Sequence, residues 1–217
     1  GVQAIYNYRN PAGDDIWLQW NTDVNAVPGP IYALAEQPLY YTGSGTPKKT
    51  NTTLATTGAG TYPRSYLEMG VPTPTVAPSV AVAGGSGTAE SRAYIYTYIS
   101  LFGTIEEESA PSPASSIVSV LPGSTVTISG LPAAAPAGLY NITKVRIYRA
   151  VTGTSSTVYL KVKDVTIGTT STTDAVAAAS LGAALDAEDN DPPPSDLQGL
   201  CAMANGILAG FRGNEIF

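Results

Sequence analysis

The sequence predicts an all-β fold in which an antiparallel β-sandwich is inserted into a β-meander. Charged residues make up only 13% of the 217 residues, whereas 22 Gly and 17 Pro supply many turns. Apolar and polar residues alternate with a period of two in one segment after another, as they do in half-buried strands. Proline-rich stretches at residues 71–78 and 189–194 divide the chain into three parts.

The N-terminal part, residues 1–71, is predicted to be a meander of short strands. Its clearest strand carries Ile16, Leu18 and Trp20 on one face and Trp17 and Gln19 on the other. Turn-forming residues surround this strand at 10–14 and 27–30, and a second strand at 39–42 runs into a glycine turn at 43–45. The polar stretch 50–60 is predicted to be a loop.

The central part, residues 72–188, has the more regular strands. Tyr94, Tyr96 and Tyr98 share one strand face, and the opposite face carries Ala93, Ile95, Thr97, Ile99 and Leu101. Further strands are predicted around four pairs or triplets of apolar residues: Val118 and Val120; Val126 and Ile128; Val145 and Ile147; Val158, Leu160 and Val162. Breaks at 121–123 and 152–154 favour hairpins, and 131–138 a longer loop.

One segment of the central part leaves two alternatives open. Residues 175–185 are rich in alanine and follow Asp174, a possible N-cap, which favours a helix. Gly182 argues against it, and an irregular connection is the alternative. After the second proline stretch, the C-terminal part, residues 189–217, carries Asn205-Gly206 between two apolar runs, a strong hairpin signal.

The composition excludes several kinds of catalytic site. The chain contains no histidine, so Ser-His-Asp triads, Cys-His pairs, His general bases and His-ligated zinc are absent. The single cysteine, Cys201, cannot form an internal disulfide and is predicted to be buried. A net charge of -6 disfavours a nucleic-acid surface. We expect no enzyme activity, no cofactor and no metal site.

The acidic clusters favour ordinary surface roles. Asp186, Glu188, Asp189 and Asp191 lack the spacing of a calcium loop and predict a solvated linker. Residues 106–108 are three consecutive glutamates, which predict an exposed loop tip more than a pair of glycosidase carboxylates.

Four aromatic residues are candidates for a protein interface: Tyr94, Tyr96, Tyr98 and Trp17. Amphipathic aromatic side chains in a row can stack on sugars or fill an interface, where tyrosine is enriched. The alternative for the three tyrosines is that they pack against a neighbouring sheet or loop.

The outer parts of the chain resemble a family of tailed-phage tail structural proteins, the nozzle or tail tubular protein B group. The resemblance rests on residues 16–24, 29–30, 40–43 and 47–48, and on 199–200, 205–211 and 213–215. In that family such segments form blades of a β-propeller-like platform, and the matching stretches include no catalytic signature.

The central part resembles a fibronectin type III or immunoglobulin-like module. Residues 144–149 resemble the family's third strand, 125–132 the strand before it and 170–174 a later one. The stretch 94–112 resembles the family's final hairpin, yet here it comes first. Either the module is circularly permuted or the match is to sandwich strands in general.

Together these resemblances imply a structural component of a tailed-phage virion that acts by assembly. The expected partners are copies of itself in a symmetric ring and neighbouring tail or portal/adaptor proteins, with DNA passing transiently through an acidic lumen. No signal peptide or spanning helix is predicted, so we expect no membrane anchor. The resemblance to the tail proteins implies a place in the virion tail after assembly in the bacterial cytoplasm. The missing initiator Met predicts a fragment or processed product. The alternative function is an extracellular adhesin or carbohydrate-binding module that uses the tyrosine face.

Overall fold

The computed structural model describes residues 1–10, 12–31, 37–152, 157–204 and 206–217, and the side chains of Thr152 and Thr157 are not described. Strands hold 44% of the chain and helices 4%, which confirms the all-β prediction. Among the described residues every strand pairing is antiparallel. Three predicted turn positions, Pro11, Gly153-Thr154 and Asn205, lie outside the described residues.

The N-terminal part folds around a small aromatic core. Its elements are β1 (Ala4–Arg9), β2 (Asp15–Trp20), β3 (Asn25–Pro28), β4 (Leu39–Thr42), β5 (Lys48–Thr50), α1 (Thr52–Thr56) and β6 (Leu67–Glu68). Strands β1 and β2 pair as a hairpin, and the others form a sheet in the order β3-β4-β5-β6. Leu18 and Trp20 face inward as the alternation predicts, and they share the core with Leu39 and Tyr41.

The prediction of a loop over residues 50–60 is wrong in its first half. Residues 52–56 form helix α1, and the Asn51 side chain caps it by accepting a hydrogen bond from the Leu54 amide at 2.8 Å. Ala55 is buried in the aromatic core. A single helical turn has little intrinsic stability, so this contact and the cap support it.

The central part contains two larger sheets and a separate two-stranded sheet. Its strands are β7 (Ser79–Ala83), β8 (Glu90–Arg92), β9 (Tyr94–Phe102), β10 (Ile105–Glu108), β11 (Val118–Val120), β12 (Thr125–Ser129), β13 (Ile142–Thr152), β14 (Thr157–Thr166) and β15 (Ser171–Asp174). Sheet A has the order β15-β12-β7, and sheet B the order β10-β9-β13-β14. Strand β11 pairs with β8, which immediately precedes β9.

One hydrophobic core joins the two sheets. Val126 and Ile128 of sheet A lie in the same buried cluster as Val145 and Ile147 of sheet B, together with the three tyrosines of β9. The predicted period-two faces of β12 and β13 are therefore confirmed. Leu131 continues the core into the loop that follows β12.

Strand β14 changes face in the middle. A register shift places Lys163 opposite Ile147 and Lys161 opposite Tyr148, so one residue of β14 is extra at this point. Beyond the bulge Val165 lies opposite Val145 and reaches the core. Without the bulge, the period-two series of Leu160 and Val162 would continue at Asp164 and turn this side chain inward in place of Val165.

The segment after sheet A is irregular, as the second alternative for residues 175–185 predicts. Only Ala178–Ser180 form a helical turn, of the 3-10 type. Residues 182–185 bond along the free edge of β14, where the Leu185 amide donates to the Tyr159 carbonyl at 2.8 Å. At Asn190 the chain has reached the opposite edge of sheet B, beyond β10, where the Ala110 amide donates to the Asn190 carbonyl at 3.2 Å. Residues 185–190 thus form a strap across the outer face of sheet B, and Ala187 in the strap is buried.

The C-terminal part returns to the N-terminal part. Its strands β16 (Gln198–Ala202), β17 (Leu208–Arg212) and β18 (Glu215–Ile216) form one sheet, and β16 contacts β3 and β4. The two proline stretches lie against each other on the way into and out of the central part. Gly70 has φ +77°, and a Cβ there would lie 2.7 Å from Pro192 Cα. Only glycine allows this close approach.

Candidate interaction surfaces

The three tyrosines of β9 are buried side chains of the central core, with 0–8% exposure. The Tyr94 hydroxyl donates to Asp174 Oδ2 at 2.8 Å, and the Tyr96 and Tyr98 rings meet edge to face with centroids 6.0 Å apart. Burial raises the pKa of Tyr94 to about 12, with Asp174 contributing, and burial raises the pKa of Tyr96 to about 12. Their placement agrees with the packing alternative, and in this fold no partner or sugar can reach Tyr94, Tyr96 or Tyr98.

A serine segment, residues 109–115, covers the hydrogen-bonding edge of β9 along Tyr94–Tyr98. Ser109, Ser112 and Ser115 each donate their backbone amide to a tyrosine carbonyl, of Tyr98, Tyr96 and Tyr94 in turn, at 2.8–3.0 Å. Each serine Oγ accepts the amide hydrogen of the same tyrosine at 2.9–3.0 Å. Three residues of the segment therefore match two residues of the strand, and the edge is closed to further strand pairing.

Trp17 is on the surface, as an interface residue must be. Its side chain is 61% exposed and lies on the outer face of the β1–β2 hairpin, opposite Asn7. Ile5, two residues from Asn7 on the same face, is 65% exposed. Arg9 and Asp15 pair across the strands on this face, with Arg9 Nε 3.8 Å from Asp15 Oδ1. We call these four residues, Ile5, Arg9, Asp15 and Trp17, the hairpin patch.

The three consecutive glutamates do not form a loop tip, so that prediction is wrong. They lie on strand β10, where alternation turns Glu106 and Glu108 to one side and Glu107 to the other. Arg146 Nη1 and Nη2 contact Glu108 Oε2 and Glu106 Oε2 at 2.9 and 2.8 Å, and its Nε contacts Asp164 Oδ1 at 2.8 Å. Hydrogen bonds from Lys144 and Arg146 lower the pKa of Glu106. These carboxylates compensate positive charge on the outer face of sheet B.

Glu107 links the central part to the N-terminal part. Its Oε2 accepts a hydrogen bond from Nζ of Lys49, which is only 2% exposed. Nζ of Lys49 also lies 5.2 Å from the centre of the Phe102 ring. Burial lowers the pKa of Lys49, and Glu107 opposes that shift. A second link is the backbone hydrogen bond from the Glu68 amide to the Leu139 carbonyl at 2.8 Å. The two parts are therefore held together by polar contacts away from the proline stretches.

Sequence reasoning missed a buried ion pair between the two sheets. Arg149 of β13 and Asp174 of β15 are both fully buried, and Arg149 Nη1 lies 2.8 Å from Asp174 Oδ2. Asp174 also accepts hydrogen bonds from the Tyr94 hydroxyl and the Val176 amide. The available signal was Arg149 at the inward position that continues Val145 and Ile147. A charge at such a position predicts a buried partner.

A groove in the C-terminal part has mainly apolar walls and a volume of about 550 Å³. It is lined by Met69, Asp191, Pro192, Pro193, Pro194, Leu197, Leu200, Leu208, Ala209, Gly210, Arg212 and Phe217. We call it the C-terminal groove. Its lining joins the second proline stretch to the β16–β18 sheet.

The remaining predicted features lie on the surface. Asp186, Glu188, Asp189 and Asp191 are exposed, as a solvated linker predicts. No cluster of three or more metal-ligating side chains occurs in the described ranges.

Cys201 is exposed, so the prediction that it is buried is wrong. In β16 the buried position is Leu200, and Cys201 follows it on the outside. Across the described part of the chain, no helix has the length and apolar character needed to span a membrane.

No protein-family model and no curated protein matches this sequence.

Proposed function

We propose that this chain is a structural component of a tailed-phage virion, of the tail or nozzle type, that acts by assembly in a symmetric ring. The observation that carries the proposal is the return of the C-terminal part to the N-terminal part, with β16 against β3 and β4. The two parts that resemble the nozzle family are thus in contact, although 117 residues, 72–188, separate them in the sequence, and this contact supports a single platform. Insertion of a domain at an exposed turn explains this arrangement.

The central part is proposed to be a fibronectin type III or immunoglobulin-like sandwich with a rearranged chain order. Spatial neighbours support this assignment. In such folds the second strand neighbours the fifth, and the third neighbours the strand of the final hairpin. Here β12 lies beside β15, and β13 lies beside β9, which forms a hairpin with β10. Chain order differs, because the hairpin-like pair precedes β12 and comes after β7, which pairs with β12 on the side away from β15.

The contacts between the parts favour a fixed role for the module. Lys49 and Glu107 form a largely buried pair, and the strap supplies a second attachment where Asn190 Nδ2 donates to the Glu108 carbonyl at 3.1 Å. A module attached at several points keeps one orientation on the platform. Such a module does not rotate freely about the proline stretches, so it is suited to support a neighbouring subunit or tail protein.

An acidic stretch supports the proposed passage of DNA through a channel. Five acidic residues between 186 and 196 have no ion-pair partner within the described ranges: Asp186, Glu188, Asp189, Asp191 and Asp196. All five are exposed. If this stretch faces the lumen, it repels a polyanion and keeps DNA from binding to the wall. The alternative function, an adhesin or carbohydrate-binding module, loses its proposed ligand surface, because the tyrosine face of β9 is buried.

The test is the assembly state of the full chain. Native mass spectrometry and negative-stain electron microscopy over a range of protein concentrations should show a ring of several copies. The same sample is offered a glycan array and labelled duplex DNA at physiological salt, and we expect no retention of either. A protein that stays monomeric at all concentrations contradicts the proposal, and a monomer that retains glycans supports the adhesin alternative.

A further inference from the structure

A cavity of about 350 Å³ lies in the central part, where β8 meets β13. Its lining includes Glu90 and Arg92 of β8, Arg149, Ala150 and Val151 of β13, and Ala178 of the 3-10 turn. Arg149 therefore belongs both to the buried ion pair with Asp174 and to the wall of a cavity.

Arg149 has hydrogen-bond donors that the described residues do not use. Its hydrogen bonds there are both made by Nη1, which donates to Asp174 Oδ2 at 2.8 Å and to the Val176 carbonyl at 2.9 Å. A guanidinium has five N–H donors, so three remain, on Nε and Nη2. The side chain is 1% exposed, so these donors meet solvent only over the small area at which Arg149 lines the cavity. A ligand in the cavity that carries an acceptor would satisfy them.

The cavity also carries more positive charge than the buried pair requires. Arg92 faces the same carboxylate, with its Nη1 3.7 Å from Asp174 Oδ2, and its side chain is 15% exposed. Two guanidiniums thus share one buried carboxylate, whereas a buried ion pair needs only one cation. The remaining charge is Glu90, which is 55% exposed and contacts Nε and Nη2 of Arg92 through Oε1 alone, at 2.5 Å. An ion pair as exposed as this one contributes little to stability, so Glu90 can be displaced.

A carboxylate is the ligand that fits this arrangement. Its two coplanar oxygens match the donors of a guanidinium. When Glu90 turns away, the two cations Arg92 and Arg149 and the one anion Asp174 leave a net charge of +1, which a single negative charge neutralises. A dianion such as sulfate would place excess negative charge beside Asp174. The volume of about 350 Å³ lies at the lower end of the range of ligand pockets and suits a small molecule.

We propose that this cavity is a binding site for a small carboxylate, which displaces Glu90 from Arg92 and supplies an acceptor to the unused donors of Arg149. Glu90 is the internal competitor that occupies Arg92 while the ligand is absent. The site lies within the central part and needs no second copy of the chain, so it is independent of the proposed function.

The first experiment follows thermal unfolding of the full chain while sodium acetate replaces sodium chloride at constant ionic strength. At about 100 mM acetate the melting temperature should rise by about 4 °C, the shift expected for a dissociation constant of about 10 mM. Ala178→Phe places a ring at an exposed lining position and should abolish the rise. Ala177→Phe, exposed but outside the lining, should keep it. A general effect of acetate on the protein surface would act on all three chains alike.

The second experiment tests the roles of the charges. Glu90→Gln should tighten acetate binding roughly tenfold, because a competing carboxylate on the same guanidinium is removed. Glu215→Gln is the matched control, since Glu215 is 63% exposed and pairs with Arg212 at 2.6 Å in the C-terminal part. Arg92→Gln should lose the response to acetate, while Asp174 keeps Arg149 as its partner in the fold.

The outcomes decide both the site and its ligand. Equal acetate shifts in the parent chain and Ala178→Phe, or an unchanged affinity in Glu90→Gln, would overturn the proposal. A difference between these two chains that is as large in sulfate as in acetate would overturn the choice of a carboxylate.

Addition of acetate to the assembled chain distinguishes two sources of the carboxylate. Dissociation would show that an acidic side chain of a second copy occupies the cavity, and an assembly that binds acetate unchanged would show that the ligand is a free molecule. A chain that binds acetate but never assembles would contradict the proposed function alone.

Discussion

Arg149 and Asp174 form an ion pair inside the central core, with Nη1 of Arg149 2.8 Å from Oδ2 of Asp174 and both side chains no more than 1% exposed. The two residues belong to different sheets, so the pair joins β13 to β15. A buried charge that loses its partner is far more costly than a pair exchanged as a whole for apolar side chains. This asymmetry yields the first prediction.

Arg149→Met should lower the free energy of unfolding by about 3 kcal/mol, because the buried Asp174 carboxylate loses its nearest cation and keeps only Arg92, whose Nη1 lies 3.7 Å from Asp174 Oδ2. The double variant Arg149→Met/Asp174→Leu should recover most of that loss, since no buried charge remains. Urea unfolding followed by fluorescence measures both. A single variant as stable as the parent would show that the pair does not form.

Ser112→Ala should remove the acceptor of the Tyr96 amide, whose hydrogen bond to Ser112 Oγ is 3.0 Å long. A buried amide without a partner costs about 1–3 kcal/mol. Hydrogen exchange at Tyr96 should accelerate, and the neighbouring variant Ser116→Ala serves as the control because the Ser116 side chain is exposed. Equal exchange in both variants would contradict the role of the serine segment.

Stability should fall as the pH rises from about 10 towards 12. Burial raises the pKa of Tyr40, Tyr94, Tyr96 and Tyr140 to about 12, with a nearby carboxylate contributing for all but Tyr96. In the unfolded chain tyrosine loses its proton near the ordinary pKa of about 10, so between these values the folded state binds more protons and stability declines. Burial lowers the pKa of Lys48 and Lys49, which acts in the opposite direction, but only up to the ordinary lysine pKa of 10.5.

Absorbance at 295 nm during alkaline titration measures this effect. The exposed tyrosines should ionise first, and the buried group should ionise late or together with unfolding. Titration of all 13 tyrosines in a single step near the ordinary pKa, with the fold intact by circular dichroism, would contradict the burial described here.

Glu107→Gln should loosen the attachment of the central part to the platform. The change leaves the Lys49 ammonium buried without its carboxylate, while Glu106→Gln, a control on the same strand, removes only contacts within sheet B. Limited proteolysis within 71–78 and 189–194 should be faster for Glu107→Gln than for the parent chain. Equal cleavage of both variants would mean that Lys49 and Glu107 do not hold the parts together.

Cys201 should react with a thiol reagent such as DTNB in the folded protein, at a rate near that of an unfolded sample. Its exposed position on β16 gives the reagent access. Cys201→Ser provides the blank. Release of one thiol equivalent only after addition of denaturant would show that the side chain is covered, for example at an interface between copies.

Cys201 also shows how far local pattern reaches. An apolar run predicts burial, but β16 is an outer strand of a small sheet, so its residues alternate between Leu200 inside and Cys201 outside. The glutamates of β10 illustrate the same limit. Three adjacent acids repel one another in isolation, and only the arrival of Arg146, Lys144 and Lys49 from other strands makes a strand position favourable for them.

The sequence by itself determined the all-β class, the inward faces of β2, β12 and β13 and the positions of the proline stretches, because period-two alternation and proline geometry act between near neighbours. The tertiary structure decided which strands neighbour one another, that the tyrosine face of β9 is covered, and that Arg149 meets Asp174. Those outcomes depend on residues far apart in the chain. A strand's own residues say which side is apolar, and the rest of the fold decides what lies against it.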